Sequence, residues 1–105
     1  MSRVVVTGLG LVTCLGNDLA TSWEALCQGK SGVSGIEGYD LEPFRVHFGG
    51  QVKTFDPTLY MDRKEVRRAD PYEQLAIATT KQALAQAGLQ ITGENADDID
   101  RKSVV

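Results

Sequence analysis

Apolar residues open the chain in a short continuous run, Val4-Val5-Val6-Thr7, which predicts a strand covered on both faces. Gly8-Leu9-Gly10 follows as a tight connection, and a second apolar run continues to residue 15. Residues 47–55 alternate loosely between apolar and polar positions, so they predict an edge strand or a hairpin. The glycine-rich stretch 30–38 between these segments predicts a loop.

Two short helices are predicted from capping signals. Residues 22–28 should form the first, with Thr21 and Glu24 as a capping box. Gly29 then stands where a helix ends in a left-handed residue. Residues 62–68 should form the second helix, and Asp62 with Glu65 has the same capping-box spacing.

The strongest helix signal covers residues 71–87. Asp70 is placed as the cap, Pro71 at the first helical position, and Gly88 at the end. The segment is alanine-rich and apolar on most faces, as helices buried between layers are, yet this chain offers little to cover it. With a strand predicted to start at 104–105, the order strand, helix, hairpin, helix, strand favours an α/β fold.

Composition narrows the class of protein. The chain has 105 residues and a formal net charge of −3, so a general affinity for nucleic acid is not expected. It contains no apolar stretch of about 20 residues that would span a membrane and no signal-peptide pattern. These features predict a cytoplasmic protein of one small domain without a membrane partner.

The side chains that usually carry chemistry are few and scattered. Cys14 lacks a neighbouring base or positive field and is expected to be a buried structural thiol. Cys27 stands near a helix C-terminus, where the dipole disfavours a thiolate, and is also expected to be structural. Both are expected to be free thiols. His47 is the only histidine and is expected to be a surface or packing residue, which leaves no zinc set. The acidic cluster at Asp97, Asp98 and Asp100 lacks calcium-loop spacing and is expected to be a solvated face. No catalytic residue, metal or cofactor is predicted.

Gly8-Leu9-Gly10 after a strand also raises a nucleotide-binding alternative. The dinucleotide fingerprint needs a third glycine where Thr13 stands, and no helix starts directly after the turn. The other interpretation is that Gly8 and Gly10 let the chain turn tightly between packed layers.

A basic cluster is the most informative polar feature. Four of the eleven Lys and Arg residues lie within six positions, at Arg63, Lys64, Arg67 and Arg68. In a helix, Lys64 lies beside Arg67 and Arg68, and such a face can hold phosphate or carboxylate groups of a partner. A merely solvated helix face is the alternative.

Seven segments together resemble the start of a β-ketoacyl-acyl-carrier-protein synthase, and the synthase II type more than synthase I. They are Val-Val-Val-Thr-Gly-Leu-Gly at 4–10, Gly-Asn at 16–17, Trp-Glu-Ala-Leu at 23–26, Gly-Lys-Ser-Gly-Val at 29–33, Phe-Gly-Gly-Gln-Val-Lys at 48–53, Asp-Arg-Lys-Glu with Arg-Arg at 62–68, and Ala-Gly-Leu at 87–89. No single segment is decisive, but their order and spacing are specific.

The resemblance implies the N-terminal part of a thiolase-like fold of five αβαβα layers, normally a homodimer. Family members transfer an acyl chain from carrier protein to a cysteine and condense it with malonyl-carrier protein, with loss of carbon dioxide and the aid of two histidines. Neither cysteine of this chain nor His47 matches that set, so the segment is expected to be inactive alone. Lys64, Arg67 and Arg68 match positions that contact acidic acyl carrier protein.

Three expectations complete the sequence-based interpretation. Residues 1–99 are expected to be the synthase portion, and residues 100–105 a tail unlike the family or a truncation. A non-catalytic module that docks acidic carrier protein is the alternative function. The apolar helix at 71–87 also predicts poor solubility of the chain as a monomer.

Overall fold

The computed structural model describes residues 2–99, which form three helices, a two-stranded sheet and two short 3₁₀ turns. In chain order these are helix α1 (Leu19–Cys27), strand β1 (Val33–Gly35), strand β2 (Phe48–Gly50), a first 3₁₀ turn (Pro57–Leu59), helix α2 (Arg63–Arg68), helix α3 (Pro71–Ala87) and a second 3₁₀ turn (Ala96–Asp98). The mixture of helix and strand agrees with the predicted α/β class. The strand expected at 104–105 lies outside the described residues.

The predicted N-terminal strand is not formed. Residues 4–7 belong to no strand, and Val4, Val5 and Val6 are 92, 60 and 76% exposed. The prediction of a covered strand was wrong for this chain because a β-branched run needs neighbouring strands to pair with. Among residues 2–99, no strand lies beside it.

Helix α1 starts three residues earlier than expected. Its cap is Asp18, whose Oδ1 accepts the Thr21 amide at 2.8 Å, so the capping box predicted at Thr21 and Glu24 was wrong. That backbone hydrogen bond, with a further contribution from the Thr21 side chain, lowers the pKa of the Asp18 carboxyl. The end of the helix was predicted correctly, since Gly29 has φ +73.

The burial of α1 also differs from the amphipathic pattern. Trp23 and Leu26 were expected on a packed face but are 62 and 57% exposed, while Ser22 and Ala25 are buried. The Ser22 hydroxyl lies 2.8 Å from that of Thr13 and donates to Gly16 O at 3.1 Å. A small polar residue therefore holds the helix against the preceding turn.

The sheet is a two-stranded antiparallel ribbon. β1 pairs with β2 so that Val33 stands opposite Gly50, and Gly35 opposite Phe48. The strand expected within 47–55 is confirmed as β2, but its partner lies inside 30–38, which was wrongly predicted as a loop. Three residues of β1 include one glycine, and their extended form depends on pairing rather than on local preference.

The helices α2 and α3 match their predicted bounds closely. α2 carries the complete capping box, with the Glu65 amide bonded to Asp62 Oδ1 at 2.8 Å and the Asp62 amide to Glu65 Oε2 at 3.3 Å. α3 ends at Ala87 and is followed by Gly88, which has φ +67. Asp70 stands at the cap position of α3 but makes no side-chain cap hydrogen bond.

Little of the molecule is buried. Among the described residues, the buried side chains are Ala25, Met61, Ala78 and Ser22. Ala76 of α3 is exposed and Ile77 half-buried, so the expectation that this chain cannot cover its alanine-rich helix is confirmed. No helix within residues 2–99 has both the length and the apolar character needed to cross a bilayer.

Candidate functional site

The four cations predicted from the sequence stand together on α2. Arg63, Lys64, Arg67 and Arg68 are all exposed, and we call them the α2 basic surface. Lys64 shares a helix face with Arg67 and Arg68 because residues three and four apart are neighbours. In the part of the chain that the structure describes, the only ion pair joins Lys53 to Glu37, so none of the four α2 cations is ion-paired with a carboxylate of these residues.

Two contacts fix α2 in position. The capping box orders its first turn, and Glu65 is engaged there with the Asp62 amide. At the other end, Gln74 of α3 donates to Val66 O at 3.1 Å and to Ala69 O at 3.2 Å. These bonds satisfy carbonyls at the end of α2. They also hold α2, and with it the four cations, in a fixed orientation relative to α3.

A cavity of about 410 Å³ opens beside this surface. Its lining residues are Met61, Glu65, Arg68, Ala69, Glu73, Ile77 and Lys81. Three of these seven residues are apolar and four are charged, and Met61 is only 7% exposed. Nothing in the sequence pattern predicted this cavity, since its walls come from the first 3₁₀ turn region, α2 and α3.

The residues considered for nucleophilic chemistry are not brought together. His47 is exposed, and its Nε2 lies 2.6 Å from Phe44 O. Both cysteines are free thiols, as predicted, and both are exposed, so the expected burial of Cys14 was wrong. Cys14 lies against Gly32 and Gly50. Among the hydrogen bonds of residues 2–99, none joins either thiol to the imidazole.

The glycines of the N-terminal turn face helix α3 rather than a ligand site. A Cβ on Gly8 would stand 2.1 Å from Ala83 O, and one on Gly10 would stand 1.9 Å from Thr79 O. The backbone of α3 therefore fills the space that a nucleotide phosphate would need, which argues against the nucleotide-binding alternative. The interpretation of Gly8 and Gly10 as a close approach between packed layers fits the contacts.

Two glutamines of α3 complete this contact. The Leu9 amide donates to Gln86 Oε1 at 2.6 Å, and the Leu11 amide donates to Gln82 Oε1 at 3.0 Å. Two amides that lie two residues apart in an extended chain are separated by about the same distance as two successive turns of a helix. Gln82 and Gln86 lie one turn apart, so each can accept one of the two amides. The sequence analysis missed both residues.

Asp97 and Asp98, the described members of the acidic cluster, are not placed to bind a metal ion. Asp97 and Asp98 lie exposed in the second 3₁₀ turn, as a solvated face should, while Asp100 lies outside the described residues. Among residues 2–99, no group of three His, Cys, Asp or Glu side chains is placed to bind an ion.

Comparisons with known proteins identify relatives along nearly the whole sequence. A family model described as "Beta-ketoacyl synthase, N-terminal domain" matches residues 1–101. The "3-oxoacyl-[acyl-carrier-protein] synthase 2" of Vibrio harveyi is 48% identical over 94 residues, which are 90% of this chain and 23% of that protein. The protein of the same name from Synechocystis sp. is 43% identical over 97 residues, 92% of this chain and 23% of that protein.

One solved structure extends the likeness to the fold. It is the ishigamide ketosynthase/chain length factor, which matches with a TM-score of 0.76 and 28% sequence identity over 84% of this chain and 22% of that one. The chain thus spans about a quarter of the length of the proteins that it matches.

Proposed function

The chain belongs to the β-ketoacyl synthase family, and from that premise we propose that it is the N-terminal segment of a condensing enzyme of fatty-acid synthesis. The reaction proposed for the whole protein joins malonyl-carrier protein to an acyl chain by decarboxylative Claisen condensation. The names of the relatives, 3-oxoacyl-[acyl-carrier-protein] synthase 2, support this assignment. The predicted place of the segment in a thiolase-like fold is confirmed by its likeness to a ketosynthase structure.

Within that enzyme, we assign the α2 basic surface to docking of acidic acyl carrier protein. The observation that carries the assignment is a set of four exposed cations on one six-residue helix of a chain whose net charge is −3. Opposite charges across an interface steer association and fix its register. Lys64, Arg67 and Arg68 share one face of α2 and are the proposed contacts.

The described residues alone are not expected to catalyse condensation. A thioester condensation of this kind needs an activated thiol, and the His47 ring is bonded to the Phe44 carbonyl rather than to a thiol. With acyl- and malonyl-carrier protein as substrates, the purified chain should release carbon dioxide no faster than the same substrates do in buffer without the chain. Appreciable condensation by these 105 residues would contradict the expected inactivity of the chain on its own.

Docking can be tested on the chain itself. With the chain immobilised at low density, which keeps copies apart, binding of acyl carrier protein is measured at about 0.05 M and about 0.5 M salt. Replacing Lys64, Arg67 and Arg68 with alanine should weaken binding about tenfold at the lower salt, since each exposed charge contributes up to about 0.5 kcal/mol. Alanine also preserves the helix.

The matched control replaces three exposed cations outside α2, Arg3, Lys30 and Arg45, with alanine. It removes the same charge from the molecule, so it should leave affinity nearly unchanged if docking is local. Equal losses in the two variants would mean that net charge alone attracts the carrier protein, and no loss in either would refute a docking role for α2.

The exposed docking face also supports a second candidate, in which the chain acts as a non-catalytic module that binds acidic carrier protein. Both candidates use the α2 basic surface for docking. In the second candidate, the chain binds carrier protein without being part of a condensing enzyme. The homodimer, the cytoplasmic location and the boundary at residue 99 stay predictions.

A further inference from the structure

We propose that residues 31–53 form an arm that swings as one body away from the N-terminal turn, with Thr54 as its strained hinge. The arm contains both strands of the ribbon and the loop between them. A hydrogen bond from Asn17 to the Thr54 carbonyl opposes the movement. The inference concerns a motion within the chain, and it does not depend on the docking proposed for α2.

Bonds inside the arm make it one unit. In addition to the strand pairing, Gln51 bonds to Glu37 twice. Its Oε1 accepts the Glu37 amide at 2.8 Å, and its Nε2 donates to Glu37 O at 3.1 Å. Lys53 donates to the Ser34 hydroxyl at 2.8 Å and pairs with the Glu37 carboxylate at 3.5 Å. The two strands therefore cannot separate without breaking several of these bonds.

Few contacts join the arm to the rest of the chain. Within residues 2–99, the one hydrogen bond between residues 31–54 and the remainder runs from Asn17 Nδ2 to Thr54 O at 3.1 Å. The Cys14 sulfur adds a nonpolar contact at the base of the ribbon, where a Cβ on Gly50 would stand 3.1 Å from it. The position of the arm thus depends on a small number of contacts around the N-terminal turn.

Thr54 supplies the strain that favours release. Its φ is +57, and among the described residues it is the only one other than glycine with a positive φ. This conformation brings Cβ too close to a backbone carbonyl oxygen, and a β-branched residue tolerates it poorly. Such strain persists only where surrounding contacts impose it. Once the Asn17 bond breaks, Thr54 can return to a negative φ, which redirects the chain and moves the arm.

Release of the arm would open a polar cavity at its base. The cavity has a volume of about 320 Å³, with Cys14 and Asn17 lining it from the N-terminal turn and Lys53 and Thr54 lining it from the end of the arm. Outward movement of the arm removes the second wall, together with the cover that the arm gives the Cys14 sulfur. The reactivity of this thiol therefore reports the position of the arm.

The alkylation rate of Cys14 measures release. The chain is immobilised at low density and treated with iodoacetamide, and mass spectrometry follows Cys14 and Cys27 separately. Cys27 lies at the end of α1, outside the arm, and serves as the internal reference. Asn17→Ala removes the donor to Thr54 O, while the backbone carbonyl of residue 17 keeps its bond from Gln82. This variant should raise the Cys14 rate severalfold relative to that of Cys27.

A second substitution tests the strain. Thr54→Gly removes the strain at φ +57, so adding it to Asn17→Ala should return the Cys14 rate close to that of the original chain. Thr54→Asn should act in the same direction with less added flexibility, because asparagine accepts a left-handed backbone. Thr92→Gly is the matched control. Thr92 is exposed, lacks a positive φ and lies outside the arm, so this change should not restore the rate.

Hydrogen exchange shows whether the arm moves as one body. The Ile36 amide, which donates to His47 O at 2.9 Å inside the arm, should keep its protection in Asn17→Ala. Loss of that protection would mean that the ribbon unfolds, and the inference would be overturned. It would also be overturned by an unchanged Cys14 rate in Asn17→Ala, by an equal rise at Cys27, or by Thr54 variants that do not slow alkylation in that background.

Discussion

Gly10→Ala is expected to detach the N-terminal segment from helix α3 and to cost about 3 kcal/mol or more of stability, at the upper end of overpacking effects. The added methyl group would lie 1.9 Å from Thr79 O, 2.8 Å from Thr79 C and 2.9 Å from Gln82 Cβ. The first two atoms belong to the helix backbone, so no side-chain rotation relieves the overlap. The segment must move away, and the Leu11 amide would lose its Gln82 partner.

Hydrogen exchange measures this effect residue by residue. In the Gly10→Ala chain, the Leu9 and Leu11 amides should exchange faster, together with the amides of α3 that face them. Gly93→Ala is the matched control, because a Cβ there meets no atom within 4 Å and Gly93 lacks a positive φ. Unchanged protection of Leu9 and Leu11 in Gly10→Ala would show that the close approach to α3 is not required.

The sequence predicted those elements whose signals are local. α3 begins at Pro71 and ends at Gly88 because proline is tolerated only in a first turn and glycine accepts the left-handed end. The capping box of α2 is formed as expected because its two partners lie three residues apart. The α2 basic surface was predicted for the same reason, since a short helix fixes the relative positions of its own side chains.

Elements that depend on distant partners were not predicted. Asp18 and Thr21 are both good cap residues, and the contact of Ser22 with Thr13 and Gly16 accompanies the earlier start of α1. β1 exists only because β2 pairs with it. The prediction of a strand at 4–7 was wrong for the opposite reason. Its composition favours a strand, but the described residues provide no partner strand.

The same division applies to the candidate site. The cations of α2 could be found from sequence, but the cavity beside them joins Met61 to Ile77 across sixteen positions. Gln74 ties the end of α2 to α3 beside this cavity, and a glutamine side chain gives no sequence signal of such a bond. Contacts between elements therefore decide the part of the site that pattern analysis cannot reach.

The chain on its own is expected to self-associate. Its accessible surface is 8892 Å², whereas a self-contained folded protein of its mass exposes about 5,800 Å². Its radius of gyration is 17.0 Å, against about 13 Å for a compact domain of this length. The excess is about 3,100 Å² on one chain, which falls within the range that large permanent interfaces bury.

Much of that surface is apolar. The exposed large side chains are Val4, Val5, Val6, Leu9, Trp23, Leu26, Val33, Tyr39, Phe44, Val46, Phe48, Val52, Leu59, Tyr72, Leu89 and Ile91. Apolar surface that is left open to water, where it is contiguous, favours association with another protein surface. The valines at 4–6 add a further hazard, because a β-branched run without a strand beside it is a template for pairing with another copy.

Sedimentation velocity should therefore find oligomers or aggregates at micromolar concentration, with little monomer. Val4→Lys together with Val6→Lys should raise the monomer fraction several-fold, since lysines in this exposed valine run would oppose its pairing as a strand with another copy. The control adds the same two charges at exposed polar positions, as Ser2→Lys with Gln90→Lys, and should help much less. A monodisperse monomer of the original chain that melts cooperatively would contradict the prediction and would mean that the three buried apolar side chains, Ala25, Met61 and Ala78, suffice as a core.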